Sequence, residues 1–186
     1  MTEPQPTSSP ASSPGRRRWL MAAVAGAAAL GGAGFAWRRY QPQLIGQGSE
    51  PALWQSDFEK LDGSRLHMTT LRGQPLLINF WATWCAPCIE ELPLLSRFYE
   101  QNMTKGWQVL GLAVDQLDPV QRFLARAPVT FPMAMAGVSG IALGKSLGNL
   151  AGGLPFTVVL GSDGRVAHRK MGKVTPDDLV SWAKLT

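Results

Sequence analysis

The chain has 186 residues, a formal net charge of +5, 45% hydrophobic residues and only two cysteines. This composition excludes a wholly disordered chain, and the cysteine count excludes both a disulfide-rich mini-protein and a four-cysteine zinc site. Residues 1–39 hold five arginines and one acidic residue, whereas the rest of the chain holds 13 basic and 12 acidic residues. The basic balance therefore belongs to the N-terminus, and we expect no nucleic-acid partner.

The N-terminal residues predict a tail followed by a membrane segment. Residues 2–15 are rich in proline, serine and threonine, which predicts a disordered cytoplasmic tail over residues 1–15. Residues 19–37 carry no charge, begin and end with tryptophan, and are bounded by arginines on both sides. A helix of that length spans roughly 28 Å, close to the roughly 30 Å of a bilayer core, so residues 16–39 are predicted to form a transmembrane anchor.

A cleaved export signal is the alternative for this segment. Twelve of the residues 19–37 are alanine or glycine, so the segment is only weakly hydrophobic. Residues 16–20 resemble the twin-arginine export pattern, and cleavage would then follow Ala36. In both cases the excess of arginines before the segment predicts that the C-terminal domain lies outside the cytoplasm.

After a linker over residues 40–50, residues 51–186 predict one α/β domain. In chain order the predicted elements are a hairpin (53–58 and 65–68), a buried strand (75–81), a helix (86–103), a second buried strand (107–114), a helix (118–127), an extended segment (129–135), a short helix within 137–153, a second hairpin (156–160 and 165–170) and a closing helix capped by Thr175. Pro93 is expected to kink the first of these helices. This order predicts a central mixed β-sheet flanked by helices on both faces, with an N-terminal β-hairpin extension.

The two cysteines form a Cys-Ala-Pro-Cys run between a predicted strand and a predicted helix. Helix amides and the helix dipole are expected to lower the pKa of the Cys85 thiol from about 8.5 toward neutrality. Cys88, one turn into the helix, can resolve a mixed disulfide, so the pair predicts thiol-disulfide exchange. The alternatives are a structural disulfide, or half of a zinc site completed by His67 and His168; haem attachment is excluded because Ile89 stands where a histidine is required.

Two motifs carry a resemblance to a known family. The run NFWATWCAPCIEELP over residues 79–93 resembles the active-site segment of thioredoxin-like proteins, specifically the TlpA/ResA/CcmG group of membrane-anchored bacterial thiol-disulfide oxidoreductases. The run GLPFT over residues 153–157 resembles the family's second motif, in which a cis proline faces the cysteine pair. The resemblance covers about residues 45–186 and implies a thioredoxin-like fold. It also implies a redox-active Cys85–Cys88 disulfide with no other cofactor and no metal.

The same resemblance implies the remaining site residues. The expected substrate groove is made by Trp84, Ala86, Pro87, Leu154 and Pro155. Asn79 stands where thioredoxins carry a titrating aspartate, and Glu91 matches an acidic position of the TlpA/ResA group. We therefore predict Glu91 as a catalytic proton acceptor or pKa tuner. The alternative is that Glu91, like its neighbour Glu90, is simply an exposed helix residue.

The resemblance also implies where and on what the domain acts. It predicts a domain on the periplasmic side of the bacterial inner membrane that reduces disulfides of partner proteins, such as apocytochromes c or copper-binding assembly factors of oxidases. A membrane electron donor of the DsbD/CcdA type would regenerate the cysteine pair. The alternatives are a disulfide-forming oxidase or isomerase and, from another class of protein, a redox-inert binding module.

Overall fold

The computed structural model describes residues 50–185 of the chain. The predicted tail, the predicted anchor and all but the last residue of the predicted linker lie outside the described residues. Within the described residues, no helix has the length and hydropathy that a membrane span requires.

The described residues form strands and helices in an order close to the prediction. The strands are β1 (Asp57–Lys60), β2 (Arg65–His67), β3 (Leu76–Trp81), β4 (Gln108–Ala113), β5 (Met133–Met135), β6 (Phe156–Leu160) and β7 (Val166–Met171). The helices are α1 (Glu50–Trp54), α2 (Ala86–Asn102), α3 (Leu117–Arg126), α4 (Ser139–Ser146) and α5 (Pro176–Trp182), with short 3-10 turns at Met68–Leu71, Met103–Lys105 and Ala183–Leu185. The strands form one mixed sheet in the order β2-β1-β5-β4-β3-β6-β7.

Strand β3 lies near the centre of the sheet, parallel to β4 and antiparallel to β6. All six of its residues are buried, as the apolar run predicts. Its alternate side chains enter different layers: Leu77 and Trp81 pack with α2 and α5, whereas Ile78 and Phe80 pack on the opposite face with α1. The predicted mixed sheet with helices on both faces is confirmed.

Local sequence signals place the turns and the last helix correctly. Both predicted hairpins form, and each has a glycine with positive φ in its turn, Gly63 at 81° and Gly164 at 79°. Thr175 caps α5 as predicted: its side chain accepts a hydrogen bond from the Asp178 N–H, and the Asp178 carboxylate accepts one from the Thr175 N–H. Helix α2 begins at Ala86 as predicted and runs through Pro93.

Two predicted strand segments are shorter than expected. Residues 53 and 54 belong to α1, because Pro51 suits a first helical turn. The Trp54 indole N–H also donates to the Gly164 carbonyl at 2.8 Å, which fixes this residue in the helix. The first strand therefore begins only at Asp57. In the predicted segment 129–135 only Met133–Met135 joins the sheet, because Pro132 has no N–H to donate.

Candidate active site

The Cys85–Cys88 disulfide lies where β3 meets α2. The two cysteines are bonded to each other, with their Cα atoms 5.3 Å apart. Cys85 is the N-cap residue of α2 and is 6% exposed, while Cys88 is fully buried one turn into the helix. Cys85 is therefore the more accessible of the two cysteines, which is the arrangement that a nucleophile and its resolving partner require.

A side chain from the neighbouring strand end holds the loop before Cys85. The Asp115 carboxylate accepts hydrogen bonds from the Thr83 N–H at 2.8 Å and from the Thr83 hydroxyl at 2.6 Å. Asp115 follows β4, which is parallel to β3, so the carboxyl ends of both strands meet at this edge. Our sequence reasoning missed Asp115; the available signal was an acidic residue directly after a predicted buried strand.

Glu91 lies one turn beyond Cys88 and is completely buried. Its Oε2 accepts the Val174 N–H at 2.6 Å, and its Oε1 accepts a hydrogen bond from Nδ2 of Asn79 at 2.7 Å. Nδ2 of Asn79 also donates to the Thr157 hydroxyl at 3.0 Å. The interpretation of Glu91 as an exposed helix residue is therefore wrong.

Burial dominates the electrostatics of Glu91. Loss of solvent raises the pKa of its carboxyl above the ordinary value of 4.5, although the hydrogen bonds from Val174 and Asn79 and the charge of Lys173 act in the opposite direction. Burial favours the neutral acid, and the two hydrogen-bond donors favour the carboxylate. A group in this balance can hold or release a proton close to the cysteine pair.

Glu90 differs from its neighbour in every respect. Its carboxylate is 61% exposed and pairs with Nζ of Lys173 at 2.7 Å. Glu90 is the exposed helix residue that the alternative interpretation described. Lys173 precedes Val174, so two successive residues of the segment between β7 and α5 contact two successive glutamates of α2.

The second motif lies at the same edge of the sheet. The Leu154–Pro155 peptide bond is cis, as the resemblance implies. Phe156 pairs with Phe80 across the antiparallel strands, so the residues before β6 lie beside the carboxyl end of β3. The Pro155 carbonyl accepts the Gly172 N–H at 2.9 Å, which ties this segment to the end of β7.

The residues predicted for the groove differ in exposure. Trp84 is 69% exposed, and Ala86 and Pro87 are also exposed, whereas Leu154 is half-buried and Pro155 is buried. All of them belong to the two segments that meet at this edge. The exposed apolar surface therefore belongs mainly to Trp84, Ala86 and Pro87, while the cis-proline segment contributes the half-buried Leu154.

The predicted zinc alternative finds no support in the described residues. His67 is exposed in the first hairpin and contacts Asp57, and His168 stacks on Trp182 with ring centroids 6.2 Å apart. Across residues 50–185, no group of three or more His, Cys, Asp or Glu side chains is arranged to hold a metal ion.

Comparison with known proteins agrees with this geometry. A model of the redoxin family matches residues 51–183. The thiol-disulfide oxidoreductase ResA of Bacillus thuringiensis (strain Al Hakam) is 30% identical over 126 residues, which cover 67% of this chain and 70% of the relative.

Solved structures show the same likeness. A thiol:disulfide interchange protein of the thioredoxin family from Chlorobium tepidum TLS matches with a TM-score of 0.62 and 26% identity, over 70% of this chain and 91% of that chain. A thioredoxin-related protein from Neisseria meningitidis serogroup B matches with a TM-score of 0.60 and 32% identity, over 67% and 93%. With its thioredoxin-like fold and its paired cysteines, the chain belongs to the redoxin family and is a thiol-disulfide oxidoreductase of the ResA/CcmG type.

Proposed function

We propose that this protein reduces disulfides of partner proteins outside the cytoplasm, with Cys85 as nucleophile, Cys88 as resolving thiol and Glu91 as proton acceptor. The observation that carries the proposal is the burial of Glu91 one helical turn beyond the buried Cys88. Cys85 caps a helix of 17 residues, whose dipole stabilises a thiolate at that position. Proline before the second cysteine resembles reducing thioredoxins and favours the reductive direction.

The proposed reaction has two steps. The Cys85 thiolate forms a bond to one sulfur of the target disulfide, and the other target sulfur leaves as a thiolate. Cys88 then gives its proton to the Glu91 carboxylate and attacks the Cys85 sulfur, so that the Cys85–Cys88 bond forms and the second target sulfur leaves. Two electrons thereby pass from the cysteine pair to the target disulfide.

The groove residues support a polypeptide target. Trp84 and Pro87 present exposed apolar surface on one side of Cys85, and Leu154 and Pro155 lie on the other. An extended target segment between them would find backbone groups at Leu154 for main-chain hydrogen bonds. Apocytochromes c and copper-binding oxidase assembly factors are the target classes we propose, on the resemblance to the TlpA/ResA/CcmG group.

The proposed location rests on the N-terminal sequence. Three arginines precede the uncharged segment and two follow it, which favours a cytoplasmic N-terminus and a periplasmic domain, tethered if the segment stays uncleaved. A membrane donor of the DsbD/CcdA type, itself a dithiol, would then return two electrons to the Cys85–Cys88 disulfide after each cycle.

Redox titration of the full-length chain against glutathione or dithiothreitol buffers tests the direction of transfer. We expect a reduction potential below about −220 mV, in the range of reducing thioredoxins. A potential near about −120 mV would instead assign the protein to the disulfide-forming oxidases. A disulfide that does not open and close in these buffers would leave only the binding-module alternative.

A further inference from the structure

Exposed apolar side chains are unevenly distributed over the domain. Among residues 50–185, the exposed large hydrophobic side chains are Trp84, Met103, Val138, Ile141, Leu150, Met171 and Val180. Trp84, Val138, Ile141 and Leu150 lie in segments that connect strand ends at the edge that carries Cys85, and Met171 is the last residue of β7 at that edge. Met103 follows the far end of α2, and Val180 lines a groove beside the second half of α2. Strands β3, β4 and β5 are parallel and end at this edge, while β6 begins there and β7 ends there. The concentration of apolar surface therefore coincides with the reactive disulfide.

Helix α4 is packed closely against this edge. A Cβ atom built on Gly140 would lie 2.9 Å from Cγ2 of Val114, so the helix backbone lies directly on the end of β4. The Val114 N–H donates to the Trp81 carbonyl at 2.8 Å, and the next residue, Asp115, holds the loop before Cys85. The first turn of α4 therefore packs on Val114, the neighbour of the residue that holds the loop before Cys85.

The other end of the same surface borders the cis-proline segment. A Cβ atom built on Gly152 would lie 3.3 Å from Cγ2 of Ile141, so this side chain packs against the backbone three residues before Pro155. The turn from Asn149 to Gly152 is closed by a 2.9 Å backbone hydrogen bond, and the Asn149 side chain donates to the Gly153 carbonyl at 2.7 Å. The turn that carries Leu150 is thus fixed to the backbone that flanks the disulfide.

We propose that Val138, Ile141 and Leu150, which we call the α4 surface, form a docking surface for apolar side chains of the polypeptide that carries the target disulfide. They are 88%, 41% and 63% exposed. The inference rests on the proposed reduction of protein disulfides and adds a preference for apolar sequence near the target cysteine. None of the three residues belongs to the two motifs, so they extend the apolar surface beyond the predicted groove.

The position of Cys85 indicates that the molecule bound at the α4 surface is the target polypeptide. Cys85 is 6% exposed at the edge where β3 ends, so a polypeptide target that reaches it passes over the residues of this edge. Such a chain lies next to the α4 surface, because Val138 follows β5 at this edge and Ile141 packs against Gly152, three residues before Pro155. Contiguous exposed apolar surface at such a position is typical of a protein interaction site.

The test uses the reduced full-length chain and three disulfide probes. Two probes are short peptides with one internal disulfide and the same sequence except at the positions that flank the cysteines. These positions are Leu and Phe in the apolar peptide and Ser in the Ser peptide. The third probe is the small disulfide 5,5′-dithiobis(2-nitrobenzoate). The variant Val138→Ser/Leu150→Ser changes the two most exposed residues of the surface. The matched control is Met103→Ser/Val180→Ser. Met103 directly follows a helix about 25 Å long that begins at the disulfide, and Val180 borders a separate groove beside that helix.

We expect the surface variant to reduce the apolar peptide at least about fivefold more slowly, since truncating an anchor residue commonly costs that factor or more. The Ser peptide and the small disulfide should react within about twofold of the wild-type rate, and the control should match the wild type with all probes. Adding Ile141→Thr to the variant should deepen the loss for the apolar peptide alone.

Several outcomes would overturn the proposal. The first is a surface variant whose reduction rate falls equally for all three probes, and the second is one whose rate for the apolar peptide does not fall. The third is an equal fall in rate in the Met103→Ser/Val180→Ser control. The fourth is a surface variant whose self-association, measured by sedimentation, changes while its peptide selectivity does not. The last result would assign the surface to a second copy of the chain. A wild-type protein that reduces the small disulfide but treats both peptides alike overturns only the α4 surface, whereas one that reduces no probe overturns the proposed function as well.

Discussion

The two faces of the central sheet differ in what they bury. The face that packs against α2 buries Asn79 and Thr157 of the sheet together with Glu91, which lies one helical turn from Cys88, and the three form one hydrogen-bonded cluster. On the opposite face, the buried side chains of the described strands are all apolar, namely Phe58, Leu76, Ile78, Phe80, Leu110, Leu112, Ala134, Phe156, Val158 and Leu160. Both faces belong to the same strands, so the difference arises from alternate residues of one sequence.

This difference separates the groups that serve stability from those that serve chemistry. A buried polar group lowers stability unless hydrogen bonds replace its lost water, and a buried carboxylate does so most strongly. Glu91 has a partner for each oxygen, but Oδ1 of Asn79 has no hydrogen-bond partner in the described residues. The buried polar groups of the α2 face thus lower the free energy of unfolding but hold a titratable group beside the disulfide. The apolar side chains buried on the opposite face stabilise the fold.

Removing the resolving thiol should have the largest effect. In Cys88→Ala the Cys85 sulfur can still attack a target, but the mixed disulfide cannot be resolved, so turnover should stop and target proteins should stay bound to Cys85. Non-reducing electrophoresis of cell extracts measures the adducts. The control is Cys85→Ser/Cys88→Ala, which should trap nothing; adducts in that control, or none in the single variant, would contradict the assignment of Cys85 as nucleophile.

On the apolar face, Ile78→Ala should change stability without changing the chemistry. Ile78 is fully buried, so the truncation should lower the free energy of unfolding by about 2–5 kcal/mol. Urea titration measures this loss. The dependence of the exchange rate on pH should stay that of the wild type, because the side chain points away from Glu91; an altered pH profile would break the proposed division between the faces.

On the α2 face, Glu91→Gln should change how stability depends on pH. Burial raises the pKa of Glu91, so between its ordinary value of 4.5 and its folded value the native state binds more protons than the unfolded state. The free energy of unfolding of the wild type should therefore fall as pH rises through that window, and the variant should lack this contribution. The amide of Asn79 can turn so that Oδ1 accepts from the new Gln side chain.

The matched control for this variant is Glu90→Gln. It removes a charge at the neighbouring position, where the side chain is exposed. Urea titration of both variants and the wild type from pH 4 to pH 8 should show the altered slope only for Glu91→Gln. Parallel slopes in all three proteins would show that Glu91 titrates as an ordinary exposed carboxyl does.

The smallest effect is expected at the ion pair that borders the buried glutamate. Both partners of the Lys173–Glu90 pair are about half exposed, so their coupling should be worth about 1 kcal/mol or less. A double-mutant cycle with Lys173→Met and Glu90→Gln measures it. A coupling of several kcal/mol would show that the surface pair, rather than the Val174 hydrogen bond, fixes the segment over Glu91.

Sequence patterns predicted the parts of the site that depend on neighbours in the chain. The cysteine pair, the hairpin turns and the Thr175 cap each follow from a few adjacent residues, and the cis bond at Pro155 followed from a family resemblance. The burial of Glu91 was left open because Glu90 and Glu91 look alike in sequence. Their difference depends on which face of α2 meets the sheet, and on Val174, which lies 83 residues away.

The role of Glu91 in proton transfer is tested most directly by the rate at which Cys88 resolves a mixed disulfide at Cys85, followed from pH 4 to pH 9. In the wild type the rate should decrease at low pH as Glu91 becomes protonated, with an inflection above 4.5 in addition to that of the thiol. In Glu91→Gln the step should be about a hundredfold slower and should lack that inflection. Equal rates and identical profiles in the two proteins would contradict the role of Glu91 as proton acceptor.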